Sequence, residues 1–481
     1  MRKVFFSCCL PVLLFTGLFF YSCTSKPDTA SIDQVSVVPE TESSVITEET
    51  PVPPQEIVFT PKAFAQDLYA ILQKDGIDDA LLLFNSVPAD YKEDFSLNYL
   101  HASLLFSSGQ YEEAKNLTNK LETSQPDNVD VLLLDSMIAK AQGDTTKKNE
   151  LLKKIIEKDP ANSDAHVEMA HDQMLRRNYA LAKKYYQKGL ESDPENPDAL
   201  FGLGQSSYYT DDLDLSKKAF TKVTELYPDN SLSWAYLGKL AAEDENYKKA
   251  TEYIEKAIEL EQDYYDFWVD YGNYLRYQGK YADAEKAWTR AVELNSSHFL
   301  AYIYRAALYD EQNEYDKALA DYLKIVEVKP EYPYSYESLG IIYWHKGDWA
   351  NCRSAFTSAY KLNPSNVSYP LMISASYIKE GNKKDNKDFL TLVMKNMDRE
   401  SAEYAMIRLY YDGINPQVVE KKITSVTNST LKGKLTFYMG LYYDLYGDDV
   451  SAKKQYIEVR SLPSPMFFEY KLNEWALQIE E

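Results

Sequence analysis

The chain has 481 residues, a formal net charge of −22 and only four cysteines. Such acidity excludes a surface built for DNA, RNA or anionic lipid, each of which needs clustered Lys and Arg, and it suits a soluble surface or a basic partner. Length alone predicts about three domains, unless the chain repeats.

Residues 1–22 open on Arg2 and Lys3 and continue as an apolar run, the pattern of an export signal peptide. The run ends Phe20-Tyr21-Ser22-Cys23, which resembles the lipobox of bacterial lipoproteins, where cleavage precedes a Cys that becomes lipid-modified. Ser22 suits its place, whereas Phe20 and Tyr21 are bulkier than the family's usual residues. The other reading is a retained amino-terminal helix, because roughly 18 apolar residues can just span a bilayer. Either way the chain is exported and tethered. The resemblance implies a periplasm-facing lipoprotein of the bacterial cell envelope, and Thr24 in place of the Asp linked to inner-membrane retention implies the outer membrane. Cleavage before Cys23 leaves Cys352 as the only other cysteine, and its lattice position predicts a buried structural thiol.

Residues 23–58 are rich in Ser, Thr, Pro, Glu and Val, with Lys26 the single basic residue. This acidic stretch cannot bury enough surface to order itself and reads as a disordered linker. Its flexible reach is on the order of 30 Å.

From residue 59 a period of 34 residues takes over. Around Gly272 the period visits the small residues Ala102, Ser136, Ala170, Gly204, Gly238, Ala306, Gly340 and Ser374. In the phase of Trp288 it visits Phe84, Leu152, Tyr186, Phe220, Ile254, Tyr322, Phe356 and Leu390. Within Tyr265–His298, Trp268, Tyr271 and Leu275 fall on one helical face, Gly279 ends that helix, and Tyr281, Ala284, Trp288 and Ala291 form a second face. Two such helices cannot bury both faces alone, so each hairpin needs neighbours built the same way. Small residues let helices approach to about 8–10 Å while large ones fill the gaps beside them.

This pattern resembles the tetratricopeptide repeat (TPR), matched most fully by Trp268-Tyr271-Gly272-Leu275-Ala284-Trp288 and by Tyr336-Leu339-Gly340-Tyr343-Phe356-Pro364. The expectation is an all-α, right-handed α-solenoid of about 11–12 hairpins with a C-terminal capping helix. The regular array is placed at 59–398. Within it the unit from Val367 is weaker, with Pro370 and Asn386 at atypical places. Residues 399–481 are assigned to degenerate repeats and a cap, because Asp412-Gly413-Ile414-Asn415-Pro416 breaks the family's turn pattern. Phe468, Leu472, Trp475 and Ile479 lie on one helical face and predict a closing helix.

No catalytic constellation is present in the sequence, and no cofactor is expected. His166 and His171 stand five apart, which points them roughly 140° from each other on a helix, whereas a zinc helix needs a four-residue spacing. Gly202 and Gly204 lack the third glycine of a dinucleotide loop and read as packing glycines.

Function is therefore sought on the concave face. In the TPR family, places 2, 5, 9, 12 and 13 of each first helix look into the groove. The resemblance carries these places onto Phe201, Gln205, Tyr208, Tyr209, Lys239, Asn273, Arg276, Tyr277, Asp310, Tyr334, Glu337, Trp344 and His345. Aromatics with an Arg among them are the residue types that dominate interfaces. Tyr208, Tyr277 and Trp344 either face a ligand or pack between neighbouring first helices. TPR modules that clamp acidic chaperone tails share a Lys/Asn set at these places, and here the lysines are missing at Val167, Phe201, Ala235 and Val269. The sequence thus implies a tethered, non-catalytic scaffold for a protein or peptide, in envelope assembly or secretion. A small-ligand-capturing lipoprotein is the alternative.

Overall fold

The computed structural model describes residues 59–74, 76–462 and 467–478. The signal segment, Cys23, the linker and Ile479 lie outside these residues. Among the described residues there are twenty-five α-helices, two short 3-10 turns and no strand.

The first hairpin is α1 (Pro61–Lys74) with α2 (Ile77–Leu83). Eight hairpins in register follow: α3 (Phe95–Ser107) with α4 (Tyr111–Ser124), α5 (Val129–Ala141) with α6 (Thr145–Lys158), α7 (Ser163–Leu175) with α8 (Tyr179–Ser192), α9 (Pro197–Tyr209) with α10 (Leu213–Leu226), α11 (Ser231–Glu243) with α12 (Tyr247–Leu260), α13 (Tyr265–Tyr277) with α14 (Tyr281–Leu294), α15 (Phe299–Glu311) with α16 (Tyr315–Val328), and α17 (Pro333–His345) with α18 (Trp349–Leu362). Then come α19 (Ser368–Lys379) with α20 (Lys383–Met394), α21 (Ala402–Asp412) with α22 (Pro416–Thr424), α23 (Ser429–Leu445) with α24 (Asp449–Arg460), and finally α25 (Glu469–Gln478). Each helix packs on the next, the architecture of an all-α solenoid.

Local chemistry repeats with the same register. Asn128, Asn162, Asn196 and Asn230 each cap a first helix, the side-chain oxygen accepting from the backbone N–H three residues on. The turn inside each hairpin uses one left-handed residue. Gly109, Gly143, Gly279 and Gly347 fill it without strain, but Arg177, Asp211, Glu245 and Asn313 adopt φ of 57–59° at the same place. Each non-glycine there costs about 1 kcal/mol. A backbone bond such as Asn178 N–H to Gln173 O, 2.8 Å, closes the turn regardless of residue type.

The lattice is the core. Ala102, Ala170 and Ala306 are wholly buried, as are Leu152, Phe220, Ile254, Trp288, Phe356 and Leu390 on the large side. Cys352 takes a small position, fully buried, and burial pushes its thiol pKa up. In the first hairpin Leu68, which stands where a small residue belongs elsewhere, is buried as well.

From α19 the course changes. Gly413 ends α21 in a left-handed conformation and Asn415 caps a nine-residue α22 that opens on Pro416. The break in turn chemistry thus produces a shortened hairpin. Asn386, at a lattice place meant for a small apolar residue, is buried and donates to Tyr410 O at 3.3 Å. Helix α23 packs back on α19 as well as on α21, and the Tyr438 hydroxyl donates to Ser368 O at 3.0 Å across 70 residues of sequence. One apolar cluster therefore runs from Ile341 to Leu477. Helix α25 covers it, burying Leu472 and Leu477 against α24.

Candidate functional site: a groove with an open half and a covered half

The first helices α9, α11, α13, α15 and α17 carry every groove residue named above. The structure divides them into two groups.

The amino-terminal group spans α9, α11 and α13. Phe201 is half-buried, its ring edge on Phe220 and Tyr236, and serves packing more than display. Gln205 donates to the Tyr236 hydroxyl at 3.2 Å, and Lys239 lies 5.7 Å above the same ring and 3.4 Å from Asp270. The Tyr208 hydroxyl donates to Glu243 at 3.3 Å, and Arg276 pairs with Glu311. Asn273 is half-buried beside them. Tyr209 stacks on Tyr179 and Tyr277 on Tyr247, both with ring centroids 4.5 Å apart. Their outer faces remain in solvent, with Tyr277 64% exposed.

A rule of register underlies these contacts. Place 9 of one first helix bonds place 6 of the next, as in Gln205–Tyr236 and Lys239–Asp270. Place 12 bonds place 13 of the next, as in Tyr208–Glu243 and Arg276–Glu311. Tyr236 and Asp270, at place 6, therefore lie outside the family's scheme of inward places, although place 6 lies one helical step from place 9 and could have been found from it.

Two carboxylates sit close together in this half. Burial and the charge of Asp270 push the Asp266 pKa up to about 6, against the opposing pull of Lys239. His298 stands 3.4 Å from Asp266, and burial pushes its imidazole pKa down. The folded state thus favours protonated Asp266 more than the unfolded chain does, so this residue opposes folding increasingly as pH rises from about 4 through 6. Asp266→Asn is expected to leave the thermal midpoint near wild type at pH 4 and to raise it at pH 7.5. Equal differences at both values would contradict the assignment.

The carboxy-terminal group, apart from Tyr334, is covered. Lys471 of α25 ion-pairs with Asp310 at 2.5 Å, in the place where the register rule would put residue 345. His345 instead packs on Trp475, with centroids 4.3 Å apart, and on Tyr315. Glu337 accepts from the Tyr369 hydroxyl, and Tyr369 stacks on Phe468. Trp344 packs edge-on against Trp349, and Tyr334, 61% exposed, meets the edge of Tyr332. Between these residues and α23–α25 lies a cavity of about 550 Å³, lined by Trp344, Trp349, Phe437, Tyr456, Leu472 and Trp475. The closing helix thus caps the core with one face and enters the groove with the other.

Elsewhere, the two histidines of α7 go to different partners: His166 bonds Pro160 O at 2.9 Å, and His171 lies against Glu168. Gly202 and Gly204 are packing glycines, facing Tyr186 and Phe220. No helix among the described residues is long and apolar enough to cross a membrane.

A solenoid of helical hairpins with a side-chain-lined groove defines a class of binding repeat. Tetratricopeptide repeat models match residues 167–208, 198–230, 233–264, 270–336 and 309–367, so this part of the chain is built of tetratricopeptide repeats. Among solved structures it is similar to Pseudomonas aeruginosa pilF, with 21% identity over 42% of this chain and 92% of that one and a TM-score of 0.38. A tetratricopeptide repeat protein from Parabacteroides merdae matches at 17% identity over 52% and 98%, with a TM-score of 0.39. YrrB, described as a TPR protein with an unusual peptide-binding site, matches at 21% over 40% and 98%, with a TM-score of 0.34. The comparison with curated proteins gave no match.

Proposed function

We propose that the chain is a membrane-tethered, non-catalytic scaffold that holds a partner protein or peptide in the open half of its groove, in bacterial envelope assembly or secretion. The tetratricopeptide fold is in general a protein-binding scaffold. The carrying observation is the α9–α13 face, where Tyr208, Tyr209 and Tyr277 stand beside Lys239, Asp270 and Arg276. Rigid aromatic rings supply contact area at low entropy cost, and paired charges at their side fix register. Tethering is assigned to Cys23 or to the retained amino-terminal helix, and the outer membrane is the proposed location.

The test is crosslinking in the intact envelope, comparing wild type with a Tyr208→Ala, Lys239→Ala variant of unchanged helicity. Loss of one discrete crosslinked partner is expected. Recovery of every partner in equal amounts by the variant would rule out the groove. The 550 Å³ cavity beneath α25 favours a second reading, capture of a small amphipathic molecule, since it falls in the range of small-ligand sites. A saturable thermal shift with a metabolite, and no crosslinked partner, separates the two.

A further inference from the structure

Ring pairs recur along one edge of the groove. Tyr209 closes on Tyr179 with an interplanar angle of 23°, Tyr277 on Tyr247 with 10°, and His345 on Tyr315 with centroids 4.8 Å apart and 62° between planes. In each case the last residue of a first helix meets the first residue of the preceding second helix. Tyr209, Tyr277 and His345 recur at every second repeat. The alternate repeats place Leu175 with Thr145, Glu243 with Leu213 and Glu311 with Tyr281, and so form no pair of rings.

The third pair is occupied by the chain itself. Trp475 lies 4.3 Å from His345 and meets Tyr315 edge-on at 5.6 Å. One helical turn earlier, Lys471 ion-pairs with Asp310 and lies 5.3 Å over Tyr315 and 5.0 Å over Trp475. A Lys-x-x-x-Trp segment is therefore what this device accepts: an aromatic side chain on the ring pair and a cation between a carboxylate and a π face. The first two pairs keep the rings, with no such segment upon them among the described residues, but the place of Asp310 is held by Met174 and Ala242; acidic residues adjoin only the second pair, at Glu243-Asp244-Glu245, while Arg176 and Arg177 precede the first. Tyr209 is 51% and Tyr277 64% exposed, and Glu243 and Glu245 stand close enough to Tyr247 to help raise its pKa.

We propose that Tyr247/Tyr277 is a receptor for a partner segment that carries a basic and an aromatic side chain in the pattern shown by Lys471 and Trp475, and that Tyr179/Tyr209 takes a second aromatic side chain of the same segment. The proposal rests on the groove reading above and names the class of partner. A second copy of this chain is a poor occupant, since two molecules of formal net charge −22 repel while a basic segment is drawn in. Two repeats set the receptors on the order of 20 Å apart. The partner's aromatics must then stand about 14 residues apart in a helix, which spans that distance and keeps both on one face, or about six in an extended strand.

The probe is a synthetic helical peptide with one Lys-Ala-Ala-Ala-Trp unit and a second Trp about 14 residues away on the same face, titrated against the full chain by calorimetry. Saturable binding is expected, weakened about tenfold or more by Tyr209→Ala or Tyr277→Ala, restored by the Phe variants, and weakened likewise when the peptide's lysine becomes Ala. Binding that ignores the tyrosine variants, or no binding at millimolar peptide, overturns the proposal, as does self-association of the chain that the peptide displaces. The groove reading is judged separately: if Tyr208→Ala, Lys239→Ala abolishes the envelope crosslink while Tyr209→Ala, Tyr277→Ala retains it, the groove stands and the ring-pair receptors fall.

Discussion

Asp321→Ala is expected to destabilise the array by about 3–5 kcal/mol, the cost of leaving a buried charge without its partner. Arg305 crosses from α15 to α16 and donates from Nε and Nη2 to the two oxygens of Asp321 at 2.8 and 2.7 Å, while Nη1 donates to Thr289 at 2.8 Å. Only 12% of the arginine side chain and 7% of the aspartate are exposed, so water cannot replace the lost carboxylate. The pair itself contributes much less than this figure, because burying both ions cost most of what their attraction returns. Arg305→Met with Asp321→Leu is therefore expected to lie close to wild type. Urea unfolding of Asp321→Ala and of the double variant, with hydrogen exchange read on α15 and α16, measures both. A double variant as unstable as Asp321→Ala would show that the pair positions the hairpin rather than merely neutralising itself.

The fold of the regular hairpins was legible because their core contacts are made with neighbours in sequence. Gly272 and Trp288, or Gly340 and Phe356, meet inside one hairpin, so a one-dimensional period reports them. Nothing of that kind reports Lys471 on Asp310, which are separated by 161 residues. The amphipathic pattern of the last segment shows that it closes an apolar surface, but not that its other face reaches back to α15 and α17. Asp310, Glu337, Trp344 and His345 were accordingly read as groove residues, and the structure places the carboxy-terminal segment on or beside them.

The tyrosines show a second limit. Tyr179, Tyr247 and Tyr315 share the 34-residue phase of Tyr281, a lattice place, yet each is half-exposed with its ring at the groove's edge. The signal that separates them is a coincidence of two periods, an aromatic at the start of a second helix together with one at the end of the following first helix. A single-residue lattice cannot see it. Of the three residues with two open readings, Tyr208 packs against Tyr236 of the next first helix, Trp344 packs on Trp349, and Tyr277 displays its outer face to solvent.

Gly272→Ala is expected to cost several times what Gly238→Ala costs, although the two glycines hold the same lattice place one repeat apart. A Cβ on Gly272 would lie 2.4 Å from Trp288 Nε1 and 2.6 Å from its Cδ1. Trp288 is fully buried and donates to Val269 O at 3.3 Å, so its rigid ring can retreat only by moving α13 from α14. Overpacking of this kind costs about 1–3 kcal/mol, and a rigid ring belongs at the upper end. A Cβ on Gly238 meets Ala250 O at 3.3 Å and the Tyr274 ring at 3.6 Å, contacts that a shift of a few tenths of an ångström relieves. There the helix-propensity gain of Ala over Gly, about 1 kcal/mol, offsets the crowding. Trp288→Ala removes the clash but opens a cavity, at about 3–5 kcal/mol. Combined with Gly272→Ala it is expected to cost less than the sum of the two, because the added methyl enters vacated space. Thermal and urea unfolding of the four variants decides it: equal losses from the two glycines, or strict additivity with Trp288→Ala, would show that complementary size between facing lattice positions is not what sets the spacing of these helices.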